Sequence, residues 1–298
     1  MKHWAMLQNF QPHLNKTHDR SNQNMKKCMY IFGMLIIAIS TANAYVLPGK
    51  QMIEEMADHL GATETLSAEH SFFMYNLEYN DGQPLELKET VIYKFPNAMH
   101  SEILMNDKQK LHVVSPKGVV TIIDNIVSEE PHTTFDLYKY LLLERDKTMI
   151  TRRLSVSGIN VKISSYGKFE KKAVYVIGAK YPDLSVPQLW LEINTFRPCR
   201  WIVTPGGYGQ SLEIVYRDWK EITKDVWYPE KIEYVQDSNV LVEIKLKSLK
   251  INPEVTNDLF DVTYFRQMYP AKKTYDSPYE SDMDEVKKTI RDFQKTFE

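Results

Sequence analysis

The chain between residues 67 and 252 repeatedly alternates apolar and polar side chains, the period-two pattern of strands with one buried face. Near its end, Val242 and Ile244 alternate with Glu243 and Lys245. One buried apolar face and one solvent-exposed polar face are typical of an antiparallel sheet that covers a core. The whole pattern predicts a mostly β fold of about ten or eleven antiparallel strands, joined mainly by short hairpins.

The first two strands show how the faces are assigned. Phe73, Tyr75 and Leu77 fall at alternate positions and are predicted to share the apolar face of one strand. Asp81-Gly82 then predicts a hairpin turn, because both residues tolerate positive φ. The return strand places Tyr93 on its apolar face. Later strands are separated by turn-forming residues at Glu170-Lys171-Lys172, Asn194-Thr195-Phe196, Pro205-Gly206-Gly207, Thr223-Lys224-Asp225 and Asp237-Ser238-Asn239.

Helical spacing appears in three places. Residues 50–60 form the first predicted helix, which Gly61 ends, and residues 133–157 predict two short helices around Arg145-Asp146-Lys147. Residues 269–298 predict a linker followed by a final helix that begins with a capping box at Ser281. The apolar stripe of that helix predicts packing on the sheet, on a second copy or on a partner; it contains Met283, Val286, Ile290, Phe293 and Phe297.

The first 44 residues predict export. The pair Lys26-Lys27 precedes about a dozen mostly apolar residues, and Ala42-Asn43-Ala44 then has the small-x-small form that a signal peptidase accepts. We therefore expect a signal peptide at residues 25–44, cleaved after its last alanine. Residues 1–24 are polar and aperiodic, which favours a true start at Met25; the alternative is a long leader.

Composition and charge exclude several classes of partner and stabilisation. Residues 45–298 keep 32 of the 37 Lys and Arg residues and 38 of the 39 Asp and Glu residues, a net charge near −6. Such a chain has no basic field for nucleic acid. Cys199 is the one cysteine left, so it has no internal disulfide partner and is predicted to be a small buried side chain.

The sequence lacks the common patterns of catalytic and metal sites. The histidines after the leader have neither HxH nor HxxxH spacing, so we expect surface or half-buried side chains and no metal; they are His59, His70, His100, His112 and His132. No G-x-S-x-G motif occurs. Adjacent carboxylates such as Glu129-Glu130 lie in polar segments, without the shelter that acid–base catalysis requires. We expect no catalytic residue and no cofactor.

The second half of the chain resembles the periplasmic outer-membrane lipoprotein-sorting proteins, the LolA/LolB-like superfamily. In that superfamily a strand ending in Trp and an acid/Asn hairpin leads into a short strand with proline, and an Asn-Pro…Leu-Phe-Asp segment follows near the end. The matching segments are Val174–Lys180, Gln188–Pro198, Ile214–Trp219, Val226–Ile232, and Ile251-Asn252-Pro253 with Leu259-Phe260-Asp261. The likeness covers roughly residues 49–262 and is best from Val174 onward.

This resemblance implies a curved, incomplete antiparallel β-barrel capped by helices, with an apolar cavity that accepts acyl chains. It also implies a periplasmic protein without catalysis, which carries or senses lipid-modified partners. We assign this domain to residues 45–268. The leader and the final helix depart from the family pattern.

Face alternation selects candidates for the lining of such a cavity, each of which an ordinary core position explains equally well. They are Phe73, Tyr75, Leu77, Tyr93, Ile103, Trp190, Val242 and Ile244. Four arginines are candidates for a lipid headgroup or partner at the rim, although solvated surface charges also fit: Arg152, Arg153, Arg197 and Arg200.

Three functions remain open at this point. The first is a carrier for lipoprotein acyl chains or other lipids, with transient membrane contact and a membrane transporter complex as a further partner. The second is a sensor or assembly subunit with the same fold, whose final helix binds a partner. The third is a hydrolase without a recognised motif.

Overall fold

The structure, a computed structural model, describes residues 46–75, 83–105, 108–129, 133–204 and 211–270. In these ranges thirteen strands form one antiparallel sheet in the order β6-β5-β4-β3-β2-β1-β13-β12-β11-β10-β9-β8-β7. The strands are β1 (Thr65–Met74), β2 (Leu85–Lys94), β3 (Ala98–Met105), β4 (Lys108–Ser115), β5 (Gly118–Ile123), β6 (Ile126–Val127), β7 (Ser164–Phe169), β8 (Lys172–Ile177), β9 (Gln188–Glu192), β10 (Pro198–Thr204), β11 (Leu212–Thr223), β12 (Val226–Gln236) and β13 (Asn239–Ile251). No pairing joins β6 to β7 within the described ranges, so the sheet is open. The mostly β antiparallel fold is confirmed.

The sheet consists of two meanders. Strands β1 to β6 run outward from the centre to one edge, and β7 to β13 run from the other edge back to the centre. The two meanders meet where β1 pairs with β13, in a register that places Leu66 opposite Ile251 and Phe72 opposite Ile244. The chain passes from one edge of the sheet to the other through its middle helices.

The helices agree with the predicted spacing. They are α1 (Gly49–Leu60), α2 (Leu137–Leu143), α3 (Lys147–Val156) and α4 (Val262–Met268), with 3-10 turns at Thr134–Asp136 and Asn257–Phe260. Gly61, at φ 64°, follows the last residue of α1. Asp146 caps α3 by accepting hydrogen bonds from the amides of Thr148 and Met149. Helix α4 was not predicted.

The helices cover both faces of the sheet, but unequally. Helices α1, α2 and α3 share the main apolar cluster with strands of both meanders; we call this side the helix-covered face. Helix α4 packs on the opposite face, where Val262 and Phe265 contact a cluster that includes Leu111 and Val120. In the described part of the chain, no helix is both long and apolar enough to cross a membrane.

The predicted buried face of β1 was wrong by one residue. Phe72 and Met74 are buried in the main cluster, whereas Phe73 is only half-buried. The register explains the error, because Phe72 lies opposite Leu87 of β2 and Phe73 lies opposite Glu86. Apolar residues occupy consecutive positions here, so alternation alone leaves both faces open.

The predicted turns are confirmed where they are described. Positive φ occurs at Glu170, Lys171, Phe196, Asp225 and Ser238, each at the end of a hairpin. The predicted turns at Asp81-Gly82 and Pro205-Gly206-Gly207, the leader and the final helix all lie outside the described residues.

Candidate functional site

The helix-covered face is apolar across most of the sheet. Four of the predicted lining residues, Tyr93, Ile103, Val242 and Ile244, belong to its main cluster and are at most 2% exposed. The side chains of the three helices complete the same cluster. A guest therefore reaches these residues only if one or more helices move, and their role as a lipid lining stays a prediction.

A row of polar side chains crosses this apolar face and was not predicted. We call it the polar row; it is formed by His70 of β1, Glu89 of β2, Ser101 of β3, Lys110 and His112 of β4 and Thr121 of β5, all buried. Glu89 lies directly opposite His70, and its Oε2 is 3.2 Å from the Nδ1 of that histidine. Ser101 donates a hydrogen bond of 3.0 Å to the same carboxylate. These contacts join the first three members of the row, and His112 lies 2.8 Å from the hydroxyl of Thr121 at its other end.

Helix α2 supplies the opposite half of the network. The Lys139 ammonium lies 2.6 Å from Oε1 of Glu89 and 2.8 Å from Oδ1 of Asp136, the residue just before α2. Lys110 of the polar row lies 2.8 Å from the other oxygen of Asp136. The Tyr138 hydroxyl also donates to Glu89. Two buried ammonium groups thus face two buried carboxylates.

The network shifts the pKa of its two carboxylates and its two lysines. Burial alone raises the pKa of Glu89, but the nearby Lys139 and His70 outweigh it and hold that pKa well below its ordinary value. Asp136 behaves in the same way, with His112 and the two lysines as the opposing groups. Burial lowers the pKa of Lys110, whereas the pKa of Lys139 is raised because two carboxylates outweigh burial.

Acid is expected to unfold the protein through these carboxylates. Because the folded-state pKa values of Glu89 and Asp136 are depressed, their contribution is complete above about pH 4 and is lost as pH falls below the unfolded value. Each carboxylate is expected to remove about 1.4 kcal/mol per pH unit in that window. Urea unfolding at pH 5, 4 and 3 measures this slope. Glu89→Gln is expected to flatten it, and an equally steep slope in that variant would contradict the assignment.

The expectation of surface or half-buried histidines was wrong for His70, His100 and His112, which are all buried. His70 and His112 are 3% and 1% exposed, and Glu89 and Asp136 are equally buried. Glu89 lies on the same buried face of β2 as Leu87 and Val91, so a charged residue occupies one position of an apolar series. That position was the available signal. Across the described ranges, no group of three or more potential ligands is arranged to hold a metal ion.

A separate cavity of about 710 Å³ opens near the hairpin ends of β7 to β11. Its lining includes Val174 and Cys199, which belong to a cluster distinct from the main core. Burial raises the pKa of the Cys199 thiol to about 12, in agreement with its predicted role as a buried side chain. Charges of both signs surround the opening, including Glu192 and Arg217.

The four rim arginines divide between two places. Arg152 is exposed on α3, and the Arg153 guanidinium lies 3.9 Å from the centre of the Tyr140 ring. Arg197 lines the cavity and lies 3.7 Å from the centre of the Trp227 ring. Arg200 pairs with Glu213. They form no single rim.

Three other predicted lining residues are described, and none of them lies in the main cluster. Trp190 is buried in the second cluster, where its indole donates to Gln188. The Lys245 ammonium lies 5.0 Å from the centre of the Phe73 ring. The Tyr75 hydroxyl donates a hydrogen bond of 3.1 Å to Glu243. Leu77 lies outside the described residues.

Comparison with known proteins gives structural similarity only. No model of a known protein family matches the chain, and no curated protein sequence is similar to it. An outer membrane lipoprotein-sorting protein domain from Vibrio parahaemolyticus is 9% identical, with a TM-score of 0.47 over 73% of this chain and 97% of that one. A LolA superfamily protein from Nitrosomonas europaea is 11% identical, with a TM-score of 0.46 over 74% of this chain and 100% of that one.

A third solved structure, a DUF1329 family protein from Desulfovibrio piger, is also 11% identical, with a TM-score of 0.47 over 74% of this chain and 100% of that one. Structural similarity to lipoprotein-sorting domains of the LolA superfamily is therefore present at low sequence identity, as the resemblance predicted.

Proposed function

We propose that this chain is a non-enzymatic carrier of acyl-chain lipids, including the acyl chains of lipoproteins, which works in the periplasm after export. The guest occupies the space between the sheet and helices α1 to α3. The observation that supports this most is a wide apolar sheet face covered by short, separate helices rather than by a second sheet.

Helix α3 is the weakest part of this cover. Of its ten residues, only Ile150 and Leu154 are buried, and the exposed Val156 is 82% accessible. An element with so few buried apolar contacts opens at low free-energy cost. A guest that enters beneath it gains about 0.8 kcal/mol per buried methylene group, or roughly 10 kcal/mol for a long acyl chain. That gain is sufficient to displace the helix side chains from the sheet.

A buried donor adds a further feature that suits a lipid ester. The Nε1 of Trp201 is buried in the main cluster and has no hydrogen-bond partner among the described residues. An unpaired buried donor is costly to the folded protein. An ester carbonyl is an acceptor of the type that would satisfy it.

The proposal is tested on protein purified from its own periplasm. Organic extraction followed by mass spectrometry is expected to yield a co-purified lipid, and a fluorescent fatty acid is expected to bind the lipid-free protein. Absence of both, at protein concentrations of tens of micromolar, would overturn carriage.

Loosening α3 is expected to accelerate lipid entry. Leu154→Ala removes one of the two buried anchors of this helix, and such truncations cost about 2–5 kcal/mol. We expect fatty-acid uptake, followed by stopped-flow fluorescence, to become at least about tenfold faster. The control is Val156→Ala on the exposed side of the same helix, which should leave the rate unchanged. A Leu154→Ala protein that melts earlier but binds at the original rate would contradict entry beneath α3.

The sensor alternative depends on the final helix, which lies outside the described residues, and it remains a prediction. Deletion of residues 281–298 separates it from carriage. Loss of a protein partner with unchanged lipid binding would favour the sensor.

A further inference from the structure

Positive charge is concentrated in one part of the chain. Residues 147–187 contain eight Lys and Arg residues but only two Asp and Glu residues, a local net charge of +6. The rest of residues 45–298 therefore carries a net charge of −12, and the overall value near −6 conceals this asymmetry. The basic segment runs from α3 through the edge strand β7 to the loop between β8 and β9. A local field of this sign attracts anionic partners even on an acidic protein.

Three basic side chains of this segment are exposed and uncompensated: Arg152, Lys162 and Lys180. The two ion pairs that the segment makes within the described ranges involve other side chains. The one carboxylate near them in sequence, Asp183, is also exposed and accepts hydrogen bonds from the amide and the hydroxyl of Ser185. The surface around them therefore keeps an excess of about two positive charges.

Exposed apolar side chains accompany these charges. Val156, the last residue of α3, is 82% exposed, and Leu184 in the loop between β8 and β9 is 43% exposed. Arg152 and Val156 are four residues apart on α3, on the side opposite its buried residues Ile150 and Leu154. The outer side of α3 thus combines an apolar side chain with a cation.

The end of α3 and the loop between β8 and β9 meet at one corner of the sheet. A Cβ at Gly158 would lie 3.2 Å from the side chain of Pro187, the last residue of that loop. The Lys180 ammonium donates a 2.7 Å hydrogen bond to the carbonyl oxygen of Ser164, at the start of β7. We call this surface the basic corner; it is formed by Arg152, Val156, Lys162, Lys180 and Leu184.

The chemistry of the basic corner fits the surface of a lipid bilayer. Basic groups near a membrane are attracted by anionic headgroups, and neighbouring apolar side chains enter the boundary between headgroups and acyl chains. An acidic protein surface would neutralise the charges, but it offers no apolar phase to the exposed Val156 and Leu184. An anionic bilayer provides partners for both kinds of side chain.

We propose that the basic corner docks the protein on membranes that contain anionic phospholipid, with the outer side of α3 against the bilayer. The inference rests on the proposed function and deepens it. It places the helix that opens for the guest beside the lipids, with Leu154 on its sheet side and Val156 on its membrane side.

Vesicles of two compositions give the first test. Protein purified from its own periplasm is co-sedimented with vesicles of phosphatidylcholine, either alone or with about one third phosphatidylglycerol. An excess of two positive charges, at about fivefold each, predicts roughly twentyfold tighter binding to the anionic vesicles. High salt is expected to remove most of this difference, because it screens charges at an exposed surface. Equal binding to the two kinds of vesicle would overturn the inference.

Neutral substitutions test whether the charge acts at this corner. Arg152→Gln/Lys162→Gln is expected to weaken binding to the anionic vesicles by roughly twentyfold. The matched control is Lys88→Gln/Lys117→Gln, which removes the same charge from two exposed lysines of the other meander. It should keep the wild-type affinity within about twofold. An equal loss in both variants would show that total charge, and not the basic corner, attracts the membrane.

The apolar side chains distinguish a bilayer from an acidic protein. Val156→Ser/Leu184→Ser is expected to weaken binding to the anionic vesicles by at least about tenfold, because less apolar surface leaves water. The control is Leu104→Ser on β3, whose side chain is 47% exposed and lies in the other meander. Unchanged binding of the Val156 and Leu184 variant would contradict docking on a bilayer and favour an acidic protein as the partner.

Two further outcomes separate this inference from its neighbours. The chain without residues 281–298 should bind the anionic vesicles as tightly as the whole protein; loss of binding would place docking in that segment and overturn the inference. If a fluorescent fatty acid does not bind the wild-type protein in solution, the proposed function fails. If it binds and vesicle charge has no effect, only the present inference fails. Uptake from solution does not involve the basic corner, so the rate control at Val156 is unaffected.

Discussion

Lys139→Met is expected to destabilise the protein by about 3–5 kcal/mol in urea unfolding at pH 7, although methionine fits the helix and has a similar length. The reason is that Glu89 and Asp136 lose the ammonium between them while remaining buried. Buried carboxylates with too few partners are far more costly than the intact pair is favourable.

The chain offers a matched control for this result. Lys147 of α3 makes an ion pair of the same 2.8 Å length with Asp58 of α1, but its side chain is 43% exposed and that of its partner is 62% exposed. Lys147→Met is therefore expected to change the free energy of unfolding far less than Lys139→Met does. Similar losses for the two variants would show that the buried network is not what makes Lys139 important.

Gly61→Ala is expected to destabilise the protein by about 3 kcal/mol or more. A Cβ at this position would lie 1.9 Å from the carbonyl oxygen of Asp225, and the φ of 64° is unfavourable for alanine. Relief requires a shift of backbone in the β11–β12 turn. The carbonyl oxygen of Gly61 also accepts a 2.6 Å hydrogen bond from Arg145. This bond links the C-terminal end of α1 to the residues just before α3.

Gly118→Ala separates the cost of a positive φ from the cost of the close contact with Asp225, the two causes of the expected destabilisation by Gly61→Ala. Gly118 also has a positive φ, 132°, but a Cβ there would meet no atom within 4 Å. We expect it to cost about 1–2 kcal/mol, less than Gly61→Ala, because only the conformational part applies. Thermal or urea unfolding of the two variants measures the difference. A Gly118 variant as unstable as the Gly61 variant would mean that conformation, and not the close approach to Asp225, decides the effect.

The elements were largely predictable because their signals are local. Helix α1 buries Met52, Ile53, Met56 and Leu60, the residues whose spacing predicted it. The hairpin at Asp237-Ser238 was predicted from turn-forming residues, and both of them adopt positive φ. Such features depend on side chains a few positions apart, which a single sequence displays.

The site was much less predictable because its residues meet from distant parts of the chain. Glu89, Lys110 and Lys139 look unremarkable alone, since each has charged or polar residues nearby in sequence. Only the register of β2, β3 and β4 and the docking of α2 bring them together. Helix α4 was not predicted from the sequence for a different reason. It has seven residues with two buried side chains, which is too short a pattern to show a helical period.

The meeting of β1 with β13 at the centre of the sheet has a consequence for how the chain folds. Contacts such as Leu66 with Ile251 join segments that are synthesised at opposite ends of the domain, whereas pairing within each meander is between neighbours. Closing such a long loop is slow compared with hairpin formation. Each meander is therefore expected to form early and independently, and the pairing of β1 with β13 is expected to form last. Two fragments divided between residues 129 and 133 should then reassemble when mixed, and refolding of the intact chain should show a late step that is sensitive to Phe72 and Ile244.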